Sequence, residues 1–219
     1  MLRAAIFDFD GTLFDSNYVW STAGERFFQS IGVVPKNNLQ QKIRTMSLYQ
    51  SACYILEEYG LSLAVEEIME GINRTVEDAY FHEVMPKSGV IPFLHALKAK
   101  GIRMCIATAT DRYQIEAALK RCSMFNFFEE IFTCSEVGHG KDEPVVFRKA
   151  MEYLGTDRSN TVIFEDALHA VQTAKADGFL TVGICDPYIQ EQEQLQALCD
   201  CYLMDFSQSE LFWKFASQQ

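Results

Sequence analysis

The stretch Ala4-Ala5-Ile6-Phe7-Asp8-Phe9-Asp10-Gly11-Thr12, near the start of this 219-residue chain, decides how the rest is read. Four apolar residues run without interruption into an aspartate, the pattern of a strand buried on both faces that ends at a polar edge. While the chain stays extended, Asp8 and Asp10 project to one side and Phe7 and Phe9 to the other. Gly11 and Thr12 then allow a tight turn, predicted to leave backbone N–H groups facing an anion. Ligands of open parallel sheets gather at the carboxyl ends of the strands, and the two aspartates fall at such an end.

Working outward, further apolar runs appear at residues 102–107, 130–134, 161–164 and 180–184, with a weaker one at 201–204. Helical patterns lie between them at 90–100, 114–122, 145–154 and 167–177, each closed by a glycine or a turn cluster. This alternation predicts an α/β fold, a Rossmann-like parallel sheet with helices on both faces. Residues 16–83 break the rhythm. They show no strand pattern and read as three helices, 17–31, 38–59 and 63–82, punctuated by Gly32, Pro35 and Gly60. A helical block set directly after the first strand, followed by Met85-Pro86-Lys87-Ser88-Gly89-Val90 and a return to alternation, predicts a core of residues 1–15 and 84–219 with an inserted all-helical cap at 16–83.

Composition narrows the partners. A formal net charge of -11 opposes attraction to nucleic acid and to anionic membranes, which need a basic surface to release counterions. A small anionic substrate is compatible with that charge if local cations, a helix N-terminus or a metal offset the field at the site. Hydrophobic residues make up 48% and charged residues 22%, which places the chain among folded globular proteins. The seven cysteines form an odd set without a CxxC pair, and Cys199 and Cys201 stand one residue apart with no histidine motif to join them, so reduced thiols are expected and zinc is not. No apolar run reaches bilayer length and no cleavage site precedes the first strand, so the expectation is a cytoplasmic protein.

Residues 8–16, DFDGTLFDS, resemble the first motif of the haloacid dehalogenase superfamily, in its branch of helical-cap phosphatases and β-phosphoglucomutase-like enzymes. The remaining motifs of that family then follow in order: Thr108 in IRMCIATAT (102–110), Lys141 in GHGKDEPVVF (138–147), and Glu165 with Asp166 in VIFEDALHA (162–170). The resemblance covers the whole chain. It implies a phosphohydrolase for a small phosphorylated metabolite, with Asp8 as nucleophile forming an aspartyl-phosphate and Asp10 as general acid and base. It implies Mg2+ held by Asp8, the Asp10 backbone carbonyl and Asp166, with Glu165 reaching the ion directly or through water. It further implies that Lys141 balances the negative charge and that Gly11, Thr108, Ala109 and Lys141 bind the phosphoryl group, ahead of a helix capped near Thr110 or Asp111.

Two departures from the family pattern stand out. Asp142 follows Lys141 where proline is usual, with Val145 after Pro144 where an acid is usual, and His169 occupies a position that many relatives give to Gly or Asp and reads as a helix-surface histidine. The mutase alternative calls for a histidine five residues after Asp15 and an arginine in the segment 44–56. Trp20 and Leu48 stand there instead, with Arg44 one turn earlier, which favours hydrolysis. A second alternative, a non-catalytic module that binds phospho-ligands, would be expected to have lost Asp8 or the acidic pair, and this chain has lost neither. Tyr18, Trp20, Arg44 and Tyr49 are the cap candidates for substrate contact.

Overall fold

In the computed structural model, which describes residues 1–43 and 46–219, the opening apolar run becomes a strand with neighbours on both sides. The strands are β1 (Ala4–Phe7), β2 (Phe14–Asp15), β3 (Met85–Pro86), β4 (Arg103–Thr108), β5 (Ile131–Thr133), β6 (Thr161–Glu165), β7 (Leu180–Ile184) and β8 (Cys201–Leu203). Among the described residues six of them form one parallel sheet in the order β5-β4-β1-β6-β7-β8, with Ile6 opposite both Cys105 and Ile163. The order reverses beside β1: the chain fills one side with β4 and β5, then crosses to β6, β7 and β8.

Pleating divides the sheet's side chains between two apolar layers. Ala5, Phe7, Ile106 and Phe164 face α5 (Val90–Ala99), α6 (Arg112–Arg121) and α11 (Ser209–Ala216), which contribute Phe93, Leu119 and Phe212. Ala4, Ile6, Cys105 and Ile163 face α8 (Val145–Tyr153) and α9 (Leu168–Ala176), which contribute Phe147, Ala150 and Ala170. All four residues of β1 are fully buried, and the Phe7 and Phe164 rings stack at 4.4 Å between centroids. Burial on both faces is why the strand reads as an unbroken apolar run, and each large side chain hidden this way contributes about 1.5–3 kcal/mol. Two shorter helices, α7 (Cys134–Val137) and α10 (Gln192–Leu198), complete this part of the chain.

The helical block comprises α1 (Asn17–Ser30), α2 (Leu39–Ile43), α3 (Leu48–Tyr59) and α4 (Val65–His82). The helix expected over 38–59 is therefore divided. Ser47 adopts an extended backbone and forms a capping box with Gln50, the Gln50 N–H donating to Ser47 Oγ at 3.2 Å and the Ser47 N–H to Gln50 Oε1 at 2.7 Å, so a new helix starts there. Helices α1 and α4 approach closely at Gly71, where a Cβ would lie 2.5 Å from the Phe27 ring. The chain passes between helical block and sheet along an antiparallel ribbon, with Phe14 paired to Pro86 and Asp15 to Met85. Helix α4 also leans on α6, where Asn73 Nδ2 donates to Asp111 Oδ2 at 2.7 Å.

Just beyond the ribbon, Gly89 opens α5 at a φ of +78°, and a Cβ there would lie 2.3 Å from the Ser207 backbone nitrogen. Neither the conformation nor the space admits a side chain. Gly89→Ala is expected to lower stability by about 2 kcal/mol or more, read as a lower urea midpoint at unchanged slope.

Candidate active site

Four strand ends and loops bring the site together. The Asp8 N–H donates to the Phe164 carbonyl at 2.9 Å, which carries the β1–β6 ladder one residue further and sets the Asp8 side chain beside Glu165 and Asp166. These three carboxylates are buried, with oxygens within 4.8 Å of one another. Lys141, also buried, reaches in from the segment ahead of α8; its Nζ donates to Asp8 Oδ1 and, at 2.5 Å, to Glu165 Oε1. The other Glu165 oxygen accepts the N–H groups of Asp166 and Ala167 at 2.9 and 3.0 Å. Glu165 thus anchors the lysine with one oxygen and the start of α9 with the other.

Asp166 is held in turn by Asn17 Nδ2 at 2.8 Å and by the Thr12 hydroxyl at 3.4 Å. That contact depends on Gly11, at a φ of +72°, because a Cβ there would lie 2.2 Å from Asp166 Oδ2 and 2.1 Å from Asn17 Nδ2. The turn differs from the sequence expectation in one respect. The Gly11 N–H donates to the Phe14 carbonyl at 2.9 Å, so it closes the turn and does not face an anion.

Burial raises the Asp8 carboxyl well above its ordinary value; Lys141 opposes the shift, and Glu165 and Asp10 reinforce it. Asp166 is raised in the same direction by burial, then by Glu165 and Asp8. Burial alone would lower the Lys141 ammonium, but the carboxylates of Asp8 and Glu165 outweigh it and hold the group above its usual value. Among the described residues one buried ammonium faces three buried carboxylates, which leaves excess negative charge on a set of hard oxygen donors. A divalent cation fits that set.

Asp10 is partly exposed and gathers hydroxyl donors from both halves of the chain. Ser16 donates to Oδ1 at 2.6 Å, Thr110 to Oδ2 at 2.6 Å, and the fully buried Tyr80 of α4 to Oδ1. Trp20 Nε1 completes the chain by donating to the Tyr80 hydroxyl at 2.5 Å. Burial and the neighbouring Asp10 push the Tyr80 hydroxyl well above its ordinary value, which keeps it protonated and a donor.

The acids and Lys141 line a cavity of about 650 Å³ between the helical block and the sheet's carboxyl edge. Ala109 and Thr110 form its wall after β4, whereas Thr108 is fully buried behind them, its hydroxyl accepting the Thr110 N–H at 3.1 Å. Of the two residues expected near the cap of the next helix, Asp111 is the one that precedes α6, and Thr110 turns to Asp10. Of the cap candidates Trp20 lines the cavity. Tyr49 does not: the buried face of α3 runs through Leu48, Ala52 and Ile55, and Tyr49, 55% exposed, lies off it. Tyr18 is likewise outside the cavity wall, next to the buried Val19, and Arg44 lies outside the described residues. His169, expected on the surface, is part of the wall in the first turn of α9. Sequence reading missed Ser16, Asn17 and Tyr80. The first two directly follow DFDGTLFD and were open to notice; Tyr80 is seventy positions from Asp10 and carries no local mark.

An acid-rich pocket with a buried lysine lies where the parallel sheet changes direction, the place at which such sheets bind their ligands. The profile of the haloacid dehalogenase-like hydrolases matches residues 5–184, and the chain belongs to that family of enzymes. It is 24% identical over 177 residues to a phosphorylated carbohydrates phosphatase of Thermotoga maritima, covering 81% of this chain and 82% of that protein. It is 22% identical over 190 residues to the 6-phosphogluconate phosphatase of Escherichia coli, covering 85% of each. Its fold matches that of CbbY from Rhodobacter sphaeroides, solved in complex with phosphate, with a TM-score of 0.83 at 22% identity over 95% of this chain and 96% of that one.

The excess acid has a measurable signature. Carboxyls raised in the fold bind protons more tightly than in the unfolded chain, so in chelator the protein is expected to lose stability as pH rises from the ordinary carboxylate range through the raised values of Asp8 and Asp166. At pH 7.5 a divalent cation at a hundred times its Kd should restore about 2.7 kcal/mol. Thermal melts with and without the cation check both, and an unchanged melting temperature would contradict the cation site.

Proposed function

We propose that the enzyme is a magnesium-dependent phosphatase that hydrolyses the monoester of a small phosphorylated metabolite through an aspartyl-phosphate on Asp8. The observation that carries this reading is the pairing of two differently housed aspartates at one strand end. Asp8 is buried against Lys141, while Asp10 stands at the cavity with hydroxyl donors around it. The first suits a nucleophile on phosphorus and the second a proton carrier.

An Asp8 carboxylate oxygen attacks phosphorus as the ester oxygen leaves with the Asp10 proton. A water then attacks the aspartyl-phosphate, giving its proton to Asp10 and releasing phosphate. Mg2+, held by Asp8, Asp166 and the Asp10 carbonyl, would supply charge neutralisation on the transferring oxygens. Glu165, engaged through both oxygens, acts by holding Lys141 in place, and the ammonium offsets charge on the phosphoryl group as it transfers. Ala109 and Thr110 supply the wall next to the phosphoryl group, with Thr108 supporting them from behind. Residues 16–83 serve as a cap over the core of 1–15 and 84–219, excluding bulk water from the first step.

The relatives named as phosphatases support hydrolysis. So does Trp20, whose indole N–H is engaged by Tyr80 and offers no imidazole for a mutase. Among the described residues no helix is long and apolar enough to cross a membrane, and we assign the enzyme to the cytoplasm on the reduced state expected of its cysteines.

Phosphate release across a panel of sugar, polyol and nucleotide monoesters, with and without Mg2+, tests the reading, with β-glucose 1-phosphate assayed for isomerisation as well. Metal-dependent release is expected, and isomerisation without release would overturn it. Asp8→Asn should abolish turnover and, by removing one excess buried charge, raise the melting temperature of the metal-free protein. Asp10→Asn should cost about 10²–10⁴-fold on alkyl esters. Tyr80→Phe should cost about tenfold on alkyl esters and little on p-nitrophenyl phosphate, whose leaving group needs no proton; equal losses on both would assign Tyr80 to packing alone.

A further inference from the structure

Among the described residues, one buried ion pair stands outside the site described above. Lys87, the first residue after β3, is 6% exposed, and its Nζ donates to Asp186 Oδ2 and to the Cys185 carbonyl, each at 2.9 Å, with Asp15 Oδ1 at 3.3 Å. Its backbone N–H donates to the Leu13 carbonyl at 2.9 Å. The lysine therefore ties three things at one point: the turn that leaves β1, the ribbon through which the helical block joins the sheet, and the end of β7. Asp186 is itself 1% exposed.

What Asp186 does with its remaining atoms gives the pair a purpose. Its Oδ1 accepts the Tyr188 N–H at 3.0 Å, and its carbonyl accepts the Ile189 N–H at 3.1 Å and Gln192 Nε2 at 3.0 Å. These bonds fold residues 186–190 into a turn, and Tyr188, Ile189 and Gln190 from that turn line the cavity. A buried carboxylate that organises a turn needs a fixed counter-charge, since an unpaired one would be strongly disfavoured. Lys87 provides it, from the ribbon.

We infer that the loop after β7 is a specificity-determining wall for the non-phosphate part of the substrate, and that Lys87 is a positioning residue that sets it through Asp186. The phenol of Tyr188 and the amide of Gln190 suit a hydroxyl-bearing leaving group, and the ribbon attachment makes the wall's position depend on that of the helical block. The inference rests on the phosphatase reading above.

The test compares two esters: whichever polyol or sugar phosphate wild type hydrolyses best, and p-nitrophenyl phosphate, whose flat leaving group offers no hydroxyl to the wall. Gln190→Ala, which leaves the ion pair intact, is expected to cost roughly tenfold in kcat/KM on the first ester, carried by KM, and at most about twofold on the second. Lys87→Met should reproduce that selective loss, and Lys87→Arg should recover part of it. The charge-neutral pair Lys87→Met with Asp186→Asn supplies a second variant in case Lys87→Met alone fails to fold. Equal losses on the two esters, or a Gln190→Ala that leaves their ratio unmoved, would overturn the inference. Absence of phosphate release by wild type from every ester would instead overturn the phosphatase reading, so the two failures are told apart.

Discussion

Like charge crowded into a dry place is the constraint on which the rest of this structure depends. Asp8, Glu165 and Asp166 are buried at the carboxyl ends of two adjacent central strands, and among the described residues Lys141 is the ammonium set against them. Self-repulsion of this kind persists only where the scaffold over-determines the positions of the groups. The scaffold does so with fully buried strands on both sides, with a glycine that admits Asp166 to its partner, and with Glu165 fastened at both oxygens.

The second carboxylate of the opening motif lives under a different regime. Asp10 takes one hydroxyl from the end of the opening turn, one from the loop after β4 and one from the long helix α4. A group fixed from both halves of the molecule is oriented only when the halves stand in their present relation. The same logic applies at Lys87, where ribbon, turn and strand end meet on one ammonium. In both cases the position of the helical block is written into the geometry of the pocket through a few buried polar contacts.

Much of this is legible in the sequence. Continuous apolar runs marked the parallel strands because burial on both faces removes the alternation that would confuse them with an edge, and Asp8, Lys141, Glu165 and Asp166 each sat beside such a run or ahead of a helix. What the sequence hid is what long-range contact creates. Tyr80 reads as one more aromatic on a helix until α4 is placed over β1. Thr110 and Asp111 read alike as caps of α6, and the choice between them rests on a distant carboxylate, Asp10, which takes the Thr110 hydroxyl. The break at Ser47 is the opposite case, a capping box with Gln50 that is wholly local in sequence and starts a new helix inside the stretch read as one.

The central strand also has a temporal meaning. Ala4 must find Arg103 on one side and Thr161 on the other, so a strand that precedes the helical block waits for two far later segments before both its edges are covered. Loop closure over such spans is slow, and until it occurs an apolar strand has both edges open to other chains. The helical excursion, by contrast, is built largely from contacts among neighbours and can form while synthesis continues. A nascent chain of this design would carry an apolar strand ahead of an ordered helical island, with both of its edges open until β4 had left the exit tunnel and one still open until β6 had followed.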